Sequence, residues 1–133
     1  MELKITFGDG KKVSTQIGEH VITTDQPTKY GGVDSAPAPY DLFLASIATC
    51  AGFFVKSYCD NKGIDAAGID LTMTTRQDPK TKKVTGFVTT IHLPPSVPAE
   101  AHAALRRAAA QCAVKKTIMA QPEFIVETEV RDR

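Results

Sequence analysis

The sequence has no excess of either charge, no even cysteine framework and no export signal, and each absence removes a class of function. Sixteen Lys and Arg stand against fifteen Asp and Glu, a formal net charge of +1 at pH 7. The basic doublets Lys11-Lys12, Lys82-Lys83, Arg106-Arg107 and Lys115-Lys116 are scattered and diluted by nearby acids. A nucleic-acid partner is therefore not expected, since a binder of phosphate backbones needs a basic excess or stripe. Three cysteines lie 9 and then 53 residues apart, which suits neither a secreted disulfide framework nor a CxxC zinc or thioredoxin motif. The opening Met1-Glu2-Leu3-Lys4-Ile5-Thr6 lacks the basic and then apolar character of a signal peptide. Reduced thiols in a cytoplasmic protein are the expectation. His20, His92 and His102 show no HxxxH or HxxE spacing, so they read as surface or structural groups and no metal site is expected. Repeats and low-complexity segments are also missing.

What is present fits one domain over residues 1–133. With 42% hydrophobic and 23% charged residues, a chain of this size buries about two-thirds of its unfolded surface without disulfides or metals. Leu3, Ile5 and Phe7, then Val13, Thr15 and Ile17, alternate around Gly8-Asp9-Gly10 and predict a hairpin. His20 to Thr24 predicts a third strand, and the polar, Pro- and Gly-containing stretch from Asp25 to Pro39 a long loop. Within it, Gly31-Gly32 precedes no strand-to-helix turn, so it supplies backbone freedom rather than a phosphate cradle.

Leu42 to Val55, LFLASIATCAGFFV, is fourteen residues without a charge and without a polar face, which predicts a buried helix over roughly residues 40 to 62. It is too short for a bilayer, which needs about 20 apolar residues, so no membrane partner is expected. Pro39 suits the helix start, Asp41 its positive end, and Lys56, Lys62 and Gly63 its end. A second hairpin follows, with Ile69, Leu71 and Met73, the turn Asp78-Pro79-Lys80-Thr81, and Val84 to Leu93. Pro98 to Cys112 predicts a second helix that continues through a short turn around Val114 to Met119, and Phe124 to Val130 a closing strand. The order β-β-β-α-β-β-α-β argues for an α+β fold of antiparallel sheets around a long central helix. A small sheet covers only one side of such a helix, so a homodimer sharing its core is expected.

Each cysteine taken alone reads as a small core hydrophobe. Nine helical steps at about 100° set Cys50 and Cys59 on opposite faces, so any reacting pair must include Cys112. Cys50 is its better partner, although nothing beside it in sequence lowers its pKa. Ser46 and Ser57 have no nucleophile-elbow context.

Ser35 to Cys50, SAPAPYDLFLASIATC, resembles the hallmark of the OsmC/Ohr family, a Pro-rich loop leading into a central helix with a reactive cysteine. Arg106 to Lys116, RRAAAQCAVKK, resembles that family's second cysteine region, where Cys-Pro-Val is usual and Ala113 stands here. The separation of 62 residues and the element order are similar too, so the likeness covers essentially the whole chain.

The resemblance implies an intertwined homodimer and thiol-dependent reduction of organic hydroperoxides. Cys50 would be the peroxidatic and Cys112 the resolving thiol. No bound cofactor is implied, and a lipoyl-type or other external dithiol would be the reductant. Hydroperoxidases of this family place an activating Arg in the first hairpin and a Glu after the loop proline. Here no Arg precedes Arg76, and Tyr40 follows Pro39. Lys11 or Lys12 is the candidate to activate the thiol, although Lys lacks the planar fork of Arg. Asp41 is the candidate to orient it, and Tyr40 with Tyr30 brackets the loop as a candidate pocket wall. The alternative is an OsmC-like protein that binds a small apolar ligand with little or no peroxidase activity.

Overall fold

Strands form where β-branched residues alternate with polar ones, and turns where glycine or an Asp-Pro pair interrupts them. In the structure, a computed structural model that describes residues 1–132, the chain divides into two compact units. The first runs from Met1 to Ser46 and the second starts at Ile47.

The first unit is a three-stranded antiparallel sheet of β1 (Ile5–Phe7), β2 (Val13–Ile17) and β3 (His20–Thr24). The register pairs Ile5 with Thr15 and Ile17 with His20. Gly18 therefore opens a two-residue hairpin loop, and its φ of 60° is the left-handed conformation that such loops require. The loop that follows folds around one carboxylate. Asp25 is 1% exposed and accepts hydrogen bonds from the N–H of Gln26 (2.8 Å), Val33 (3.3 Å) and Ser35 (3.0 Å) and from the Ser35 hydroxyl (2.7 Å). At Gly32 the chain passes so close that a Cβ would lie 1.9 Å from the Gln26 carbonyl oxygen, so only glycine closes this loop.

Helix α1 runs from Pro39 to Lys62, as its proline start and lysine end predict. The Asp41 carboxylate accepts from the Ala38 N–H at 3.1 Å and ties down the entry to the helix. At 24 residues the helix is long and apolar enough to cross a membrane by length and composition alone. Its uncharged part, Leu42 to Val55, still spans only about 21 Å, short of the roughly 30 Å of a hydrocarbon core.

In the second unit, β4 (Asp70–Gln77) and β5 (Val84–His92) form an antiparallel hairpin. It is followed by a 3-10 turn over Ala99–Ala101 and by helices α2 (His102–Ala109) and α3 (Ala113–Met119). The core gathers Val55 and Cys59 of α1 with Val97, Ala101 and Leu105, and Ile69, Leu71, Ile91 and Leu93 of the hairpin region pack against it. Two expectations change. Helix α1 is not buried all round within one chain. Its buried stripe is Ile47, Ala51, Val55 and Cys59, each four residues on from the last, while Phe53 is 62% exposed.

The closing strand Phe124 to Val130 does not form either. Among the described residues no strand follows α3, and Phe124, Ile125, Val126 and Val130 stand exposed. Strand propensity is realised only with a ladder partner, and this segment pairs with none among the described residues.

The four hydrogen bonds draw the Asp25 carboxyl from its ordinary 3.8 to about 2, the Ser35 N–H first, then the Ser35 hydroxyl and the Gln26 N–H, with burial opposing and the Val33 N–H adding least. Because the folded value is the lower one, this stabilisation is complete above about pH 3.8 and is lost as the pH falls through about 2. Asp25→Asn should lower Tm at pH 7 and flatten the acid limb of a Tm-against-pH curve. An unchanged curve would show that the carboxylate does not organise the loop.

Candidate functional site

The site is built where α1 meets the break between α2 and α3, inside the second unit. The chain leaves α2 at Ala109 and restarts as α3 at Ala113, with Cys112 as the N-cap residue of α3. Its Sγ accepts from the Lys115 N–H at 3.3 Å, the role a Ser or Asp oxygen usually fills. The Cys112 thiol donates to the Ile47 carbonyl of α1 at 3.7 Å and is only 2% exposed. That contact fixes the N-terminal end of α3 against the middle of α1, where Cys50 sits half-buried.

Cys50 thus meets the amides that α3 leaves unpaired in its first turn. The Val114 N–H contributes most to drawing its thiol below the ordinary cysteine range; burial works against this, and the Cys112 thiol and the Ala113 N–H add to it. Hydrogen bonds to an ionised sulfur are stronger than those to a neutral one, so this cradle favours thiolate. Cys59 is the opposite case. It is fully buried in the core, and burial first and Asp60 second push its thiol up, with Lys56 opposing. None of the three cysteines is in a disulfide.

A cavity of about 490 Å³ opens beside Cys112. Ile47, Ala51, Ile91 and Leu93 give it apolar walls, while His102, Arg106 and Lys115 add nitrogen-bearing side chains. No acidic residue is among the described residues that line it. The remaining sequence candidates lie in the first unit. Lys11 and Lys12 sit at the β1–β2 turn around a smaller cavity shared with Asp25 and Gly32. Asp41 is engaged by the Ala38 N–H, and the Tyr40 ring packs against Phe43 with centroids 5.5 Å apart.

Sequence reasoning missed the Val114 and Ala113 donors, because they come from far along the chain, and missed Arg106 and Lys115, which read as surface doublets. Ala113 carried a signal in hindsight: where a proline is usual, an alanine keeps an N–H. Among the described residues no cluster of His, Cys, Asp and Glu could hold a metal ion.

A family model described as OsmC-like protein matches residues 32–127. No curated protein matches the chain. Among solved structures, a protein of Psychrobacter arcticus 273-4, described as osmotic stress induced and as a detoxification response protein, is similar with TM-score 0.70 at 22% identity, over 86% of this chain and 85% of that one. An OsmC-like protein of Mycoplasma pneumoniae gives TM-score 0.68 at 12% identity, over 90% and 87%. The organic hydroperoxide resistance protein OsmC of Legionella pneumophila gives 0.56 at 22%, over 88% and 87%. At these identities the likeness is one of fold, and that fold is α+β with antiparallel sheets.

Native alkylation should be fast at Cys50 and slow at Cys59, and the Cys50 rate should hold to lower pH than for an ordinary cysteine. Ala113→Pro keeps a residue suited to the first helical position but deletes one donor, and should shift the Cys50 rate profile to higher pH. An identical profile in the variant would show that this amide does not act on the thiol.

Proposed function

The chain belongs to the OsmC-like protein family, and on that premise we propose that it reduces organic hydroperoxides with Cys50 as attacking thiolate and Cys112 as resolving thiol. The observation that carries this is the contact of Cys112, at the start of α3, with the middle of α1, where the first amides of α3 and the Cys112 thiol hold the Cys50 thiol below the ordinary cysteine range. A thiolate and a second thiol in contact are what a two-step reduction needs.

In the first step the Cys50 sulfur attacks the terminal peroxide oxygen. The O–O bond breaks, the sulfur becomes a sulfenic acid, and the alkoxide takes a proton to leave as alcohol. In the second, Cys112 attacks the sulfenic sulfur. The S–S bond forms, the S–O bond breaks, and the hydroxide leaves as water with the Cys112 proton. An external dithiol, lipoyl-type or other, then supplies two electrons and two protons and is itself oxidised to a disulfide. Sulfenic acid is the reversible stage of cysteine oxidation, and a neighbouring thiol traps it before it over-oxidises. Cys112 lines the apolar cavity and Cys50 does not, so the alkyl body of an organic peroxide would rest on the Cys112 side of the pair, where buried alkyl surface contributes about 25 cal/mol per Å². In this reading the α3 amides supply stabilisation that the family draws from an Arg, and Lys11, Lys12, Tyr40 and Asp41 are secondary.

The same reading includes a homodimer in a reducing, cytoplasmic setting. The exposed face of α1 at Phe53, and the unpaired segment with Phe124 90% and Val126 93% exposed, are apolar surface that a second copy would cover. A second function, binding a small apolar ligand without turnover, is favoured by the same cavity. Ligand affinity that survives loss of both thiols, with no peroxide consumed, would select it.

Cys50→Ser should reduce cumene hydroperoxide consumption to the uncatalysed rate, whereas Cys112→Ser should accumulate a sulfenic acid at Cys50 that dimedone captures. Turnover retained in Cys50→Ser would remove the assignment. Sedimentation at micromolar concentration should give a dimer, and a monomer would remove that part.

A further inference from the structure

Helix α3 is attached to the rest of the second unit through two sulfurs. Its seven residues, Ala113–Met119, are half-buried or exposed throughout, so packing contributes little to it, and a helix this short is marginal by itself. Its first turn, Ala113-Val114-Lys115, carries a cation and no acid at the positive end of the helix. What holds that end is sulfur. The Cys112 Sγ accepts from the Lys115 N–H at 3.3 Å, and the Cys112 thiol donates to the Ile47 carbonyl of α1 at 3.7 Å. The Val114 and Ala113 amides act on the Cys50 thiol and favour its ionised form. Both attachments belong to the reduced protein. Cys112 is also buried, yet a reductant has to reach the Cys50–Cys112 disulfide for the proposed cycle to close.

Oxidation removes both attachments together. When the disulfide forms, each thiol gives up its proton and the pair gives up two electrons to the oxidant. Cys112 then keeps no S–H for the Ile47 carbonyl, and Cys50 keeps no negative charge for the amides. Hydrogen bonds to an ionised acceptor are about twice as strong as those to a neutral one, so the first turn loses its strongest acceptor. The sulfur–sulfur bond of ~2.05 Å then sets the position of the Cys112 Sγ in place of the Lys115 N–H. We propose that α3 is a redox-controlled latch, closed on α1 while both thiols are reduced, whose first turn is released when Cys50 and Cys112 join, uncovering their disulfide to an external dithiol. Lys115 moves with it, since it lines the cavity wall from that turn. Helix α2 does not follow, because Leu105 is fully buried in the core, so the movement starts at the α2–α3 break. The release rests on the thiol pair of the proposed function, whereas the sulfur attachment of α3 in the reduced protein does not.

Hydrogen–deuterium exchange of the α3 amides reads the latch directly. Diamide makes the disulfide without any peroxide, taking up the two electrons and two protons of the thiol pair. The oxidised protein should exchange at α3 about tenfold faster than the reduced one, the scale of a lost cap together with a lost charged acceptor, while α2 stays slow. In the reduced state Cys50→Ala/Cys112→Ala should exchange as fast as the oxidised wild type, and Cys112→Ser, which keeps an oxygen cap, should remain slow. Thr117→Ala raises helix propensity at an exposed position of α3. It should slow both the exchange of the oxidised form and its reduction by dithiothreitol, about twofold each. Equal exchange in oxidised and reduced protein, or slow exchange in the double alanine variant, would overturn the latch. Slower exchange with an unchanged reduction rate in Thr117→Ala would overturn its role in access. Failure of diamide to link Cys50 to Cys112 would remove the thiol pair and the release with it. Release on diamide treatment of a protein that consumes no hydroperoxide would instead remove the peroxidase reading and leave the latch standing.

Discussion

The contact between the Cys112 thiol and the middle of α1 is the constraint on which the rest of the site depends. Through it the Ile47 carbonyl, the Cys50 sulfur and the first amides of α3 share one small region. A sulfur acting as a helix N-cap is unusual chemistry for that position, where oxygen acceptors predominate. The same atom that starts α3 also helps hold the Cys50 thiol below the ordinary cysteine range. The contact is held in place from behind. Leu105 of α2 is fully buried against Val55 and Cys59 of α1, so the helix that precedes Cys112 cannot move without opening the core. Three cysteines thus divide the work by environment alone: Cys59 packs, Cys112 caps, and Cys50 meets the donors.

The consequence for chemistry is a thiol tuned by the backbone rather than by a side-chain cation. Amide donors do not titrate and need no reorganisation when the sulfur ionises, which is how fixed dipoles stabilise developing charge in a partly dry site. It also leaves Arg106 and Lys115 free of that duty, on the wall that faces the cavity.

Much of the fold was legible in the sequence because its signals are local. The first hairpin and His20–Thr24 follow from alternation around glycines, and α1 from Pro39 at one end and Lys62 at the other. The Asp78-Pro79 turn marked the second hairpin, and the second helix, expected over Pro98 to Cys112, ends at Ala109. The failures are nonlocal. Phe124 to Val130 has the composition of a strand, but a strand is a property of two segments, and its partner cannot be read from its own residues. Helix α1 lacked a polar face, yet only the Ile47-Ala51-Val55-Cys59 stripe is buried within one chain. Asp25 looked like an ordinary loop residue, because the Val33 and Ser35 donors reach it only after the loop has closed. The pairing of Cys50 with Cys112 was an expectation from helix geometry and from resemblance, and of the amides that act on Cys50 only Ala113, where a proline is usual, left a trace in the sequence.

The most direct test of the thiol pair is to add one equivalent of tert-butyl hydroperoxide to the reduced protein and map the cross-linked peptides by mass spectrometry. A single intramolecular disulfide joining Cys50 to Cys112, with Cys59 still free, is the expected product. Oxidation that stops at Cys59, spreads evenly over the three thiols, or leaves Cys50 and Cys112 unlinked would contradict it.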